Sequence, residues 1–302
     1  MKENISLDAW ATGLLADPLS KEPVSLDGTA GFVRSGYGRK YPIRNGVPDL
    51  RLLNNDCTKD QRVWSEGQRA YEKWSAGLSG NDSLQRYVDE VESVREVYRE
   101  IPVRGRCLDV GGHQGRLRKF LETDQPYITC DPFLGVFDGL SAQKNLLQVY
   151  PFLAGPVNFV CCQAEFLPFA SGVFDTVHMR SVIDHFLSPE LALNEAYRVL
   201  RPGGALIIGL SVEGGRSGRA GVASTLKEVT REVLYFAGFK RFRDYHVWHP
   251  THAELVRLVE SCGFELEKTH WQQGTGDSVC YLLANKIDGL MRKNRDCRSV
   301  RQ

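Results

Sequence analysis

Short apolar runs recur through the C-terminal two thirds of the chain, separated by stretches with helical spacing. Arg106–Val110, Tyr127–Cys130, Val157–Cys161, Thr176–Met179, Ala205–Leu210, Phe264–His270 and Val279–Ala284 each have the length and β-branched or aromatic content of a strand. The helices between them carry their own punctuation. Ser188 is placed as an N-cap, with Pro189 at the first helical position, and Pro202-Gly203-Gly204 stops that helix. Thr251 and Glu254 have the spacing of a capping box, and Gly263 ends the helix they open. A further helical pattern starts at Arg116. Such alternation predicts a mostly parallel sheet covered on both faces.

Upstream the pattern changes twice. Leu84, Tyr87, Val88, Val91, Val94 and Tyr98 repeat at 3.6-residue spacing with charges between them, which predicts an amphipathic helix opened by Asp82 and Gln85. Trp64, Tyr71 and Trp74 precede it on a polar, Gly-interrupted stretch, either as packing residues or as a lid. Residues 13–53 read as a small β-rich unit. Gly31-Phe32-Val33-Arg34 and Lys40-Tyr41-Pro42-Ile43 are strand-like, and Asn45-Gly46 is a hairpin turn signal.

Composition changes this picture little. The 302 residues suit about two domains. Lys and Arg number 38 against 37 Asp and Glu, so no global field selects nucleic acid or an anionic membrane. Residues 286–302 hold six basic and two acidic side chains, the composition of a solvated tail. No apolar run approaches the ~20 residues of a membrane span. Met1-Lys2-Glu3-Asn4 leads into no apolar leader segment. The eight cysteines form no CxxC pair, which suits small buried thiols in a reduced, cytoplasmic setting.

The candidate chemistry begins at Leu108-Asp109-Val110-Gly111-Gly112-His113-Gln114-Gly115, a strand, an acid and a Gly-rich turn. A dinucleotide fingerprint would require Gly at 113 and 116, where the chain has His113 and Arg116. The loop instead suits an adenosine ligand without a pyrophosphate. Three further elements follow in order. They are Asp131 at the end of the next strand, Gln163-Ala164-Glu165-Phe166-Leu167-Pro168-Phe169 before Val173-Phe174-Asp175, and Arg198-Val199-Leu200-Arg201-Pro202-Gly203-Gly204.

These four elements together resemble the class I S-adenosylmethionine-dependent methyltransferases, of the ubiquinone/menaquinone-biosynthesis-like subgroup, over residues 101–285. The resemblance implies an α/β fold with a Rossmann-like seven-stranded sheet whose last strand is antiparallel. It implies S-adenosylmethionine as cofactor. Gly111, Gly112 and Gly115 would let the backbone approach the ligand. Asp109 would hold the methionine ammonium directly or through water, or else cap the turn. Asp131 would accept the ribose hydroxyls, or else serve as a turn residue before Pro132. His113 replaces a family glycine and tolerates φ > 0 better than most side chains. Gln163 stands where the family has an Asp for the adenine amine, with the backbone of Ala164 and Glu165 along the adenine edge. Arg180 and Ser181 would contact the methionine end.

Residues 37–48 resemble the end of a zinc-ribbon-like domain found before some bacterial methyltransferases. Asp17, Ser20, Arg34 and Tyr37 occupy the positions of its two CxxC pairs, so a metal-free ribbon is expected. This divides the chain into a ribbon-like unit (1–55), a helical lid or linker (56–100), the methyltransferase region (101–285) with a substrate-covering insertion at 211–250, and a basic tail (286–302).

Asp184 and His185 are adjacent near the end of the fourth strand of that sheet and can act as a base toward an acceptor, which favours oxygen as the acceptor atom. His246, His249 and His252 recur every three residues, but Pro250 and the cap at Thr251 break the segment, so no metal is expected. The expected acceptor is a small molecule or a saccharide, with nucleic acid disfavoured and no membrane partner. The oligomeric state is not legible. An RNA base methyltransferase and a catalytically silent binding module of the same fold are the competing readings.

Overall fold

The computed structural model describes residues 7–27, 31–52, 62–77, 83–137, 140–154, 158–218 and 245–287, with backbone only at 62, 63 and 74–77. Cys57, Asp82, the side chain of Trp74, the 219–244 part of the insertion and the tail beyond residue 287 lie outside that description.

A short helix, α1 (Ala9–Thr12), leads into a four-stranded antiparallel meander of β1 (Val24–Asp27), β2 (Phe32–Ser35), β3 (Lys40–Arg44) and β4 (Val47–Pro48). Asn45 and Gly46 both have positive φ (52° and 79°), as a tight turn between β3 and β4 demands. At the first of the ribbon positions Asp17, fully buried, accepts hydrogen bonds from the Leu19 and Ser20 amides, the Arg39 guanidinium and the Tyr41 hydroxyl, each at 2.9 Å. Burial works against its charge. The four donors outweigh burial and hold the carboxyl below its ordinary range.

Helices α2 (Arg62–Gly77) and α3 (Leu84–Glu100) follow. Ser83 caps α3, accepting from the Arg86 amide at 3.2 Å, in place of the expected pair, and Gln85 donates to Asp89 one turn on.

The large sheet is built from β5 (Cys107–Val110), β6 (Tyr127–Asp131), β7 (Phe159–Cys161), β8 (Phe174–Arg180), β9 (Leu200–Ser211), β10 (Phe264–Trp271) and β11 (Val279–Lys286). Its order is β10-β11-β9-β8-β5-β6-β7, with β11 antiparallel to both neighbours and β5 through β9 parallel. All seven expected strands are present. Helix α4 (Lys144–Val149) precedes β7, and α5 (Pro189–Val199) and α6 (His252–Ser261) stand where their caps were read. The capping box at Thr251 and Glu254 is complete.

The expected helix at Arg116 is only a 3-10 turn, Arg116–Phe120. Helix α3 covers this part of the sheet, and its Tyr98 ring lies 4.6 Å from Phe120, so Leu117 and Phe120 are sealed within one turn.

The N-terminal meander packs against the large sheet. Ala11, Leu15, Val33, Tyr41, Ile43 and Leu50 share one continuous core with Leu108, Ile128 and Phe169. The backbone is joined as well: the Leu50 amide donates to Cys161 at 2.8 Å, and the Ala16 amide to Pro168 at 2.9 Å. The six described cysteines are buried, and none of them is in a disulfide. Among the described residues, no helix is long and apolar enough to cross a membrane.

Candidate active site

The chain leaves β5 at the centre of the sheet, builds outward to β7, and returns to place β8 on the other side of β5. This reversal opens a crevice at the carboxyl ends of the strands, where doubly wound folds bind ligands. Two adjoining cavities of about 390 and 360 Å³ lie there and share Gly111, His113 and Ser181.

The loop after β5 is shaped by contact. Gly111 has φ 68°, and a Cβ there would strike Val182. A Cβ on Gly112 would strike the Asp109 carboxylate and the Thr129 hydroxyl, so only glycine lets this backbone close over the acid. His113 does adopt φ 50°. Burial, helped by Arg116, pushes its imidazole down to about 4, so it is neutral near pH 7. Gly115 lines neither cavity and starts the 3-10 turn with φ 83°.

Asp131 ends β6 at the wall of the second cavity. One oxygen accepts from the His113 amide at 3.1 Å and the other from the Phe133 amide at 3.0 Å. Burial outweighs both bonds and raises the carboxyl to about 7. Gln163, Ala164 and Glu165 line the same cavity. The Gln163 carboxamide oxygen accepts from the Leu52 amide at 3.0 Å, so it fastens the N-terminal segment to the site. Arg51 reinforces this join, binding both oxygens of Asp49 and the Pro132 carbonyl. Burial also raises the Glu165 carboxyl, which accepts from the Ser188 amide at the start of α5.

Asp109 is 2% exposed, and each of its carboxylate oxygens has a protein group within hydrogen-bond distance. His178 Nδ1 lies 2.7 Å from one, and the Tyr127 hydroxyl donates to the other at 2.6 Å. The Nδ1 edge of His178 thus faces the acid, and its Nε2 lies 3.1 Å from the Tyr98 hydroxyl. Register explains the chain: Asp109 pairs across the sheet with His178 on β8 and Thr129 on β6. Tyr98, Asp109 and His178 line the first cavity with Arg180, Arg116 and Glu90. Arg116 donates to Glu90 at 2.7 Å. Tyr98, His178, Arg116 and Glu90 were missed in the sequence. No local motif marks them, and only the 3.6-residue repeat that contains Tyr98 hinted at a buried face.

Trp64 and Tyr71 of α2 line the second cavity. At its rim, Tyr71 meets the His185 ring edge-on at 4.7 Å, and His185 lies over His246 at 4.3 Å. The Asp184 carboxylate lies beside both imidazoles, with His185 Nε2 at 3.9 Å from one oxygen and His246 Nε2 at 3.6 Å from the other. Its backbone carbonyl accepts from the Val247 amide at 2.7 Å, which brings the end of the insertion against this site. His252 lies elsewhere, on α6 beside Trp271, so the three spaced histidines form no common group.

The methyltransferase domain family matches residues 108–208. The ubiquinone/menaquinone biosynthesis C-methyltransferase of Sinorhizobium fredii is 45% identical over 197 residues, covering 63% of this chain and 68% of that protein. The chain therefore belongs to the class I S-adenosylmethionine-dependent methyltransferases, within their ubiquinone/menaquinone-biosynthesis subgroup. The mitochondrial 2-methoxy-6-polyprenyl-1,4-benzoquinol methylase of Caenorhabditis elegans is 31% identical over 115 residues, covering 36% of this chain. The chain spans 39% of that relative's length. A solved structure from Thermotoga maritima, titled a SAM-dependent methyltransferase and possible histamine N-methyltransferase, covers 75% of this chain and 99% of its own at 21% identity, with a TM-score of 0.47.

Proposed function

We propose that this protein transfers the methyl group of S-adenosylmethionine to a ring carbon of a small hydroquinone-type acceptor. The observation that carries the reading is the pair of adjoining cavities at the sheet reversal, whose two walls match the two ends of the cofactor. Adenosine fits the second cavity, with Asp131 accepting from the ribose hydroxyls and the backbone at Ala164 and Glu165 along the adenine edge. The zwitterionic methionine end fits the first, where Arg180 faces its carboxylate and Glu90 its ammonium. Asp109 acts from beneath, holding His178 and Tyr98 in place and supplying negative charge behind the Gly111–Gly112 backbone.

Carbon replaces oxygen as the preferred acceptor atom because the named relatives are a C-methyltransferase and a benzoquinol methylase. The cluster of rings Tyr71, His185 and His246 supports a planar aromatic acceptor, which such rings can stack against. An activated ring carbon attacks the methyl in line, and the C–S bonding pair stays on sulfur as a neutral thioether. The ring then loses a proton, which Asp184 and His185 are placed to take.

Isothermal titration with S-adenosylmethionine and S-adenosylhomocysteine tests the cofactor assignment, and binding of neither refutes it. Product analysis after incubation with a simple hydroquinone separates the two acceptor atoms. A ring methyl supports carbon, and a methyl ether returns the assignment to oxygen.

A further inference from the structure

We infer that Asp184, His185 and His246 form a binding site for a divalent transition-metal ion at the acceptor side of the cofactor crevice. Among the described residues they are the one group of three whose ligand atoms all lie within 4.8 Å of one another. The spacing itself is informative. At 3.9 and 3.6 Å the Asp184–imidazole pairs are too long for hydrogen bonds, and Asp184 Oδ1 is buried with no hydrogen-bond partner. A tetrahedral site with metal–ligand bonds near 2.1 Å has edges of roughly 3.4 Å. Asp184 presents Oδ1 to His185 and Oδ2 to His246, and ligand atoms that lie within 4.8 Å of one another close to that spacing around an ion by rotation of the side chains.

The donor set is two imidazoles and one carboxylate. That combination suits zinc, iron, cobalt or manganese in the divalent state, and leaves coordination positions open. His185 is also part of the wall of the second cavity, so an open position at this site is accessible to an acceptor oxygen. Chain topology brings the ligands together. Asp184 and His185 follow β8, while His246 arrives from the far end of the insertion, held by the Val247 amide on the Asp184 carbonyl.

This inference rests on the methyltransferase reading and names what the acceptor must carry: a hydroxyl beside the methylated carbon. A bound cation lowers the pKa of that hydroxyl. Its proton leaves to solvent, and the phenolate pair, delocalised onto the ring carbon, forms the new C–C bond as the C–S bond breaks toward sulfur. The ring proton is then lost to water while the oxygen regains one, for a net release of one proton. In this arrangement Asp184 and His185 act through the ion and need not take the ring proton themselves.

Titration of the full chain with Co²⁺ tests the site by its visible d–d absorption. One equivalent should develop the bands, and Zn²⁺ should displace them. Even supporting groups around a metal cost about 10–100-fold in affinity when removed, so His246→Ala and Asp184→Asn should each weaken Co²⁺ binding at least tenfold. S-adenosylmethionine affinity, measured on the same samples, should persist in both variants and so reports an intact fold. Absence of bands in the unaltered protein, or bands unchanged in both variants, overturns the metal site. Either result alongside normal S-adenosylmethionine binding leaves the methyltransferase reading standing, whereas no cofactor binding by the unaltered protein strikes that reading, and with it the acceptor role of the ion, even where the Co²⁺ bands appear.

Discussion

At the scale of single residues, Asp131 and Asp109 show how burial assigns different work to two acids at neighbouring strand ends. Asp131 keeps one amide donor on each oxygen and faces the cavity, while burial lifts its carboxyl to about 7. Ribose hydroxyls donate best to the charged form. Cofactor affinity should therefore rise as pH increases through about 7, and Asp131→Asn should flatten that rise in a calorimetric series. Asp131→Ala should weaken S-adenosylmethionine binding by about 2–3 kcal/mol, roughly a hundredfold in Kd. Unchanged affinity would remove the ribose assignment. Both acids were legible from position alone. That Asp109 would be consumed by His178 and Tyr127 was not, because neither partner is near it in sequence.

At the scale of elements, local signals held where the local chain decides the outcome. Ser188, Thr251 with Glu254, and Asn45-Gly46 act within a few residues of themselves, and each forms the cap or turn that its chemistry dictates. Thr251→Ala should cost about 1 kcal/mol of stability, read as a lowered midpoint in denaturant, because it leaves the first turn of α6 without its acceptor. The pattern at Arg116 failed for the opposite reason. Its apolar residues are satisfied by α3 after one turn, and nothing local announces that α3 is there. Helix α2 is a related case. Trp64 and Tyr71 can be read as packing or as a lid, and both line the second cavity. Trp64→Ala should thus weaken cofactor binding measurably while leaving secondary structure by circular dichroism intact. Equal affinity in the variant would return Trp64 to a packing role.

At the scale of the whole molecule, the N-terminal meander is part of the site's foundation. It shares the main core, meets β7 through Asp49 and Leu50, and holds Gln163 through the Leu52 amide. Asp17 is its hub. Asp17→Ala strands a buried tyrosine hydroxyl and two amides, and should destabilise the whole protein by about 3 kcal/mol in a single cooperative transition. A separate low-stability transition for the meander would contradict the shared core. The folded-state pKa of Asp17 lies below its ordinary value of 3.8, so its contribution is complete above that value. It is lost only as pH falls through the depressed pKa, and Asp17→Asn should remove this acid-sensitive component.

The sequence by itself determined the strands, the capped helices, the Gly-rich loop and the order of the four cofactor motifs. These depend on periodicity, turn chemistry and close backbone approach, which act over a few residues. The tertiary structure decided what no short window contains. Strand register set Asp109 between Thr129 and His178. Sheet reversal joined the two cavities, and the returning insertion set His246 beside Asp184 and His185. Those contacts join residues dozens of positions apart. Their partners are chosen by packing of the assembled sheet, a property of the whole chain that its local patterns do not carry.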